Sequence, residues 1–208
     1  MLKVIEQRNM RKFLIIIAVL ISFTCKSQTL IDACTTSNYS LSQWLGSVGT
    51  GVSAWGQSFT NPSACTLYSV KFYLTKVGTP TGNAYAQLYA HTGTYGTSST
   101  PTNSALATSD NVDVSTLSTS ISLVTFNFTG ANRYSLAAST YYCITVWYIG
   151  GDGSNLLKFG VSNSSSAHSG NAFFTTGSWS TTTQDAIFYI YQVTVAASGV
   201  PMLIVGGQ

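Results

Sequence analysis

Between residues 66 and 91, apolar and polar positions alternate with a period of two. In the first run Tyr68, Val70, Phe72 and Leu74 fall on one side, and Ser69, Lys71, Tyr73 and Thr75 on the other. In the second run Ala86, Leu88 and Ala90 oppose Tyr85, Gln87, Tyr89 and His91. Successive side chains of a strand point to opposite faces, so this pattern predicts two strands, each with one buried side, joined by the turn sequence VGTPTGN.

Similar runs recur along the chain. Trp55, Gln57 and Phe59 share a side of a first strand that ends at Asn61-Pro62, a turn dipeptide. A short strand is expected at about 105–114, after a Gly/Ser/Thr loop over 92–104. Val124, Phe126 and Phe128 mark another strand. In 139–149, Tyr142, Ile144, Val146 and Tyr148 face inward while Tyr141, Cys143, Thr145 and Trp147 face outward. Residues 150–155 (GGDGSN) read as a turn, 156–161 as a short strand, AFFTTGSW as a hairpin-like element, and 185–195 as the closing strand with Phe188 and Ile190 inward. No helical periodicity of any length occurs. Short strands separated by Gly, Pro, Ser and Asn turns predict an all-β fold, a two-sheet antiparallel jelly-roll β-sandwich of about eight strands over 53–195. Residues 29–52 form a lead-in, a loose segment or an extra edge strand.

The two ends read differently. Lys3, Arg8, Arg11 and Lys12 precede the apolar run FLIIIAVLISFT, and less apolar residues follow it. That order predicts a secretory signal peptide, a leader helix over 1–28, starting at Met1 or Met10 and cut near Ser27 or Gln28; the apolar run is too short to span a bilayer. A secreted, extracellular or cell-surface location follows. The tail 196–208 carries an apolar knot at 200–205, which suits an edge strand or a strand donated to another copy.

Removing the leader changes the charge picture. Full-length net charge is +3, but beyond residue 28 Lys71, Lys76, Arg133 and Lys158 stand against Asp32, Asp110, Asp113, Asp152 and Asp185, a net of −1. No run of Lys and Arg survives to track phosphates, so no nucleic-acid partner is expected. Cys25 leaves with the leader, unless it carries a lipid. Cys34, Cys65 and Cys143 remain; in an oxidising compartment they predict one disulfide and one spare thiol, with Cys34–Cys65 the favoured pairing of three.

The segments QSFT, LYSVKFYLTKVGTPTGNAYAQLYA, LVTFNFTGANRYSLAASTYYCITV and SGNAFFTTGSWSTTTQDAIFYIY resemble non-catalytic jelly-roll modules of secreted bacterial and phage-associated surface proteins, similar to carbohydrate-binding modules. The resemblance covers about residues 53–193. It implies a fold and an extracellular setting, and it transfers no catalytic residue.

Candidate chemistry is therefore a matter of surfaces. If the strand at 84–91 neighbours that at 140–148, Tyr85, Gln87, Tyr89 and His91 share a face with Tyr141, Thr145 and Trp147. Aromatic faces stack on the C–H faces of sugars while Gln and Thr bond hydroxyls, so these seven residues form a candidate glycan platform. The competing reading is structural, because Tyr and Trp suit pleated half-exposed surfaces. Trp55 and Trp179 are isolated aromatics near turns. Asp110 and Asp113, three apart, would face opposite sides of a strand and make a poor glycosidase pair. No metalloprotease, nucleophile-elbow or phosphate-loop motif occurs. No cofactor is implied; Asp152 in its Gly-rich turn offers calcium a single carboxylate, which is thin. The favoured function is a non-catalytic extracellular binding or adhesion module for glycans or another surface polymer. The alternative is a structural subunit of a filament, surface layer or virion-like appendage that self-associates through its tail.

Overall fold

Phe72, Phe126, Phe159 and Trp55 meet at the centre of the molecule, where Phe72 lies 5.6 Å from Phe159 and 6.2 Å from Phe126, and Trp55 stacks on Phe159 at 5.7 Å. These rings come from two antiparallel sheets packed face to face in a computed structural model that describes residues 28–164 and 167–193. The leader, Cys25 and the apolar tail lie outside the described residues.

The first sheet holds β1 (Gln28–Cys34), β2 (Leu41–Leu45), β4 (Cys65–Val77), β8 (Ser122–Asn127), β9 (Ser135–Leu136), β11 (Leu156–Ser162), β14 (Asp185–Ala186) and β15 (Phe188–Val193). The second holds β3 (Ala54–Asn61), β5 (Asn83–Thr92), β6 (Thr100–Thr108), β7 (Val112–Asp113), β10 (Thr140–Trp147), β12 (Ala172–Thr175) and β13 (Trp179–Thr181). Its order is β13-β12-β3-β10-β5-β6. The chain passes repeatedly from one sheet to the other, as a jelly-roll sandwich requires. The expected fold class is the observed one.

Period-two alternation sets both inner faces. Val70, Phe72 and Leu74 of β4, Phe188 and Ile190 of β15, and Leu157, Phe159 and Val161 of β11 are fully buried. Facing them are Trp55 and Phe59 of β3, Ala84, Ala86 and Leu88 of β5, and Tyr142, Ile144 and Val146 of β10. Each large side chain removed from water contributes about 1.5–3 kcal/mol.

Several expectations need correction. The two strands that VGTPTGN joins belong to different sheets, β4 to the first and β5 to the second, so the turn arches over the end of the sandwich. Gly78 and Gly82 supply its left-handed backbone (φ +66° and +89°), and the Asn155 carboxamide oxygen holds it by accepting from Thr79 N at 2.7 Å. Tyr68 does not join Val70 in the core. The β4–β15 register slips between Leu67 and Ser69, and this bulge buries Leu67 and leaves Tyr68 half-exposed. The loop predicted over 92–104 ends early, because β6 starts at Thr100. The closing strand is two: β14 pairs with β11, Ile187 N bonds Gly160 O, and β15 pairs with β4. The lead-in is part of the sandwich, since β1 borders β15 and β2 borders β11.

The predicted disulfide does not form: Cys34, Cys65 and Cys143 are all free thiols. Cys34 lies in the central core and Cys143 on the outer side of the second sheet. Cys65 donates to Asn61 Oδ1 at 3.4 Å rather than facing Cys34. Burial, then the carboxylate of Asp185, pushes the Cys34 thiol up to about 11, so it is a packing residue.

Candidate functional site

The neighbour relation that the glycan platform required is present. β10 pairs with β5 in the register Cys143↔Tyr89, Thr145↔Gln87 and Trp147↔Tyr85, which puts the predicted residues on one outer face of the second sheet. The face is not open, however. On the adjoining strand β3, Ala54, Gly56 and Ser58 share this side and are small. Phe173 of β12 fills the space they leave: a Cβ added at Gly56 would sit 2.6 Å from Phe173 Cε2. Trp179 of β13 then closes over the top, with its ring edge-on to Phe173 at 5.4 Å, Trp147 at 5.7 Å and Tyr89 at 6.2 Å.

This plug removes the centre of the platform. Tyr89 is 8% exposed and Thr145 fully buried. Thr145 Oγ1 donates to Gln87 O, and the Tyr89 hydroxyl donates to Gln87 Oε1 at 2.5 Å, so the Gln87 carboxamide is engaged inside the sheet. Burial pushes the Tyr89 phenol up to about 12. Tyr85 and Trp147 stay half-buried at one end. At the other end Tyr141 is 47% exposed and stacks on Tyr95, with centroids 4.2 Å apart and planes within 13°. His91 flanks both rings, 5.5 Å from Tyr141 and 6.1 Å from Tyr95, and shares a 2.9 Å hydrogen bond with Ser99 Oγ. Burial among these groups lowers the His91 pKa below its ordinary value. Thus the seven predicted residues divide into a sealed centre, Tyr89, Thr145 and Gln87, and two separate ends.

Tyr95, Phe173 and Trp179 were not assigned to this face from the sequence. The small set Ala54, Gly56 and Ser58 was the available signal for Phe173, since a strand that skips large residues on one side makes room for a ring. Tyr95 stood out only as a lone aromatic in TGTYGTSST. Its hydroxyl contacts Ser169 Oγ at 3.2 Å, which ties its loop to the 167–171 loop.

Beside Tyr95 runs a cleft of about 230 Å³ between these two loops and residues 181–185. Thr97, Thr181 and Thr183 line it and are exposed. The buried Asp185 lies at its base. Asp185 Oδ1 accepts from Gln57 Nε2 at 3.0 Å and Oδ2 from His168 N at 3.0 Å, while desolvation raises its pKa. His168 Nδ1 accepts from Gly170 N at 2.9 Å, which leaves Nε2 to donate to Asp32 Oδ1 at 3.1 Å. Neither ring nitrogen is left to activate a nucleophile, so this histidine–aspartate pair is a clip that fastens β1 to the second sheet. Asp32 Oδ2 completes the clip by accepting from Thr60 N at 3.3 Å.

The remaining acidic candidates hold loops in place. The Asn155 carboxamide nitrogen donates to both Asp152 oxygens, Ser154 N and Asn155 N donate to Oδ1, and these bonds lower the Asp152 pKa. Asp110 accepts from Thr129, and Asp113 caps a 3-10 turn through Ser115 N. Trp55 is core, its indole N–H bonded to Trp44 O at 3.0 Å. Comparison with protein-family models, curated proteins and solved structures finds no match.

Proposed function

We propose that this domain is a secreted, non-catalytic binding or adhesion module whose ligand is an uncharged glycan held at the Tyr95–Tyr141–His91 edge. One observation carries the reading: a parallel-stacked pair of tyrosines, one of them half in solvent, at the lip of a cleft lined by exposed threonines. The outward ring face of such a stack matches the C–H face of a pyranose, and nearby hydroxyls match its oxygens. Among the described residues no Lys or Arg lines the cleft, and its carboxylate, Asp185, is buried and held by Gln57 and His168, which favours an uncharged ligand.

A glycan array with the wild type, Tyr141→Ala and Tyr95→Ala tests this. Binding by the wild type and a drop of about fivefold or more in either variant is expected, since an aromatic–ring stack is worth about 1 kcal/mol or more. A wild type that captures no neutral glycan, or variants that bind as it does, would refute the assignment. Tyr85→Ala at the opposite end serves as the unaffected control.

A further inference from the structure

We infer a second binding surface, independent of the first: the outer face of the first sheet docks an acidic polysaccharide whose charge is borne on carboxylate-bearing sugars. Four cations follow residue 28, and three of them lie against aromatic rings in this part of the molecule. Lys71 Nζ sits 5.1 Å from the Tyr191 ring, Lys158 Nζ 4.6 Å from Trp44, and the Arg133 guanidinium 5.1 Å from Tyr68. None of the three has a carboxylate within ion-pair reach among the described residues, where the ion pair formed is His168–Asp32.

The carboxylates are directed elsewhere. Asp32 turns toward β3 and His168, Asp185 is buried, Asp110 accepts from Thr129 beyond β8, and Asp113 and Asp152 bind their own loops. The face therefore carries unneutralised positive charge although the chain beyond residue 28 is net negative.

Its layout is linear. Lys71 and Thr75 lie on the same side of β4, and Lys158 pairs directly with Thr75 and with Trp44. At ~3.3 Å per residue the backbone positions of Lys71 and of Thr75, which Lys158 faces, stand about 13 Å apart along the strand. Between them Tyr73 lies across Gly160, where any Cβ would meet its ring at 2.9 Å, and Tyr39 packs edge-on to Tyr73 at 5.2 Å. An anionic chain laid along β4 meets a cation, a hydroxylated aromatic stretch and a second cation in turn.

The spacing selects the partner. Duplex DNA carries one charge per ~1.7 Å, and proteins that track it present many closely set cations. Two or three cations spread along a strand match a polymer with a carboxylate on each sugar ring and hydroxyls between. A single sugar is too short to reach both ammonium groups.

The test uses isothermal titration of the purified protein with polygalacturonate, with its fully methyl-esterified form, and with a single-stranded DNA oligonucleotide. The acidic polymer should bind at about 10 mM salt, where the Debye length is ~30 Å, and weaken as salt rises, while the esterified polymer should bind more weakly and without that salt dependence. Lys71→Gln with Lys158→Gln should weaken binding about thirtyfold, the arginine pair at the same positions should retain it, and Tyr141→Ala should leave it unchanged. No binding of the acidic polymer at low salt, equal binding of the esterified polymer, or an unaffected Lys71→Gln/Lys158→Gln variant overturns the proposal. Tighter binding of DNA than of polygalacturonate overturns it in favour of a nucleic acid. Because Tyr141→Ala is read on a different ligand, failure here and failure at the tyrosine edge are separable.

Discussion

On the outer face of the second sheet, Phe173 lies over Gly56 and Trp179 closes above it, so the middle of that face is a small second core with no charge. On the outer face of the first sheet, Lys71 and Lys158 ride on aromatic rings, and Gly160 makes room for Tyr73 to lie flat. Both faces use a glycine to admit a ring, but to different ends. In both the ring comes from the neighbouring strand of the same sheet, β12 beside β3 and β4 beside β11. In the second sheet a further strand, β13, lays Trp179 over that ring and seals the surface, whereas in the first Tyr73 stays half-exposed. An aromatic-rich face is thus no sign of a binding site by itself; what matters is whether another element of the chain has already claimed the rings.

The contrast can be broken most severely at Phe173. Its truncation to Ala removes a fully buried ring from the outer cluster and should cost about 3–4 kcal/mol, visible as a lower urea midpoint. A loss under about 1 kcal/mol would mean that the hairpin does not seal the sheet. Gly56→Ala comes next, at about 2–3 kcal/mol, because its Cβ would lie 2.4 Å from Ile144 O and 2.6 Å from the Phe173 ring, and only the ring can yield. Trp179→Ala, at a half-exposed position, should cost about 1–2 kcal/mol and make the Tyr89 region accessible, which quenching of Trp147 fluorescence by acrylamide can follow. Lys71→Gln with Lys158→Gln should change stability by only about 0.5–1 kcal/mol, as expected for cation–ring contacts in solvent. A large loss there would assign the lysines to folding rather than docking.

The smallest effect is a pH dependence at the tyrosine edge. Burial lowers the His91 pKa from its ordinary 6.5. The unfolded chain then binds a proton more readily than the native one, so the neutral imidazole's contribution is complete above 6.5 and lost as pH falls through the folded value. Asp185 has the opposite sign in a lower window: its raised pKa makes the native state the better proton binder, and stability falls as pH rises above the ordinary carboxylate value. Melting temperatures at about pH 7.5 and about pH 5 should therefore differ less in His91→Gln than in the wild type. An identical difference in both would dissociate His91 from the effect.

Much of the fold was legible in the chain. Alternation identified the inward residues of β10 and β15 and nearly all of those in β4 and β5, because a sheet with one buried face repeats every second residue whatever its partner. The neighbour relation of β5 and β10 was also anticipated. Three things escaped. The change of sheet across VGTPTGN left no mark, because a turn sequence specifies a reversal, not which sheet receives the next strand. Tyr68 failed because a bulge shifts parity without leaving a mark in the pattern. The Cys34–Cys65 bridge failed because counting thiols says nothing about which side of a sheet each one faces.

The sequence alone determined that the described chain is all-β and that its apolar side chains form a sandwich core, since that result needs only the local period and the drive to bury it. Tertiary structure alone decided which aromatic residues reach solvent and which cations stand together. Tyr95 and Tyr141 are 46 positions apart, and Lys71 and Lys158 are 87 apart. Neither pair shares a local signal. Each is brought together by the register of strands distant in sequence, a property of how the sheets pair as a whole.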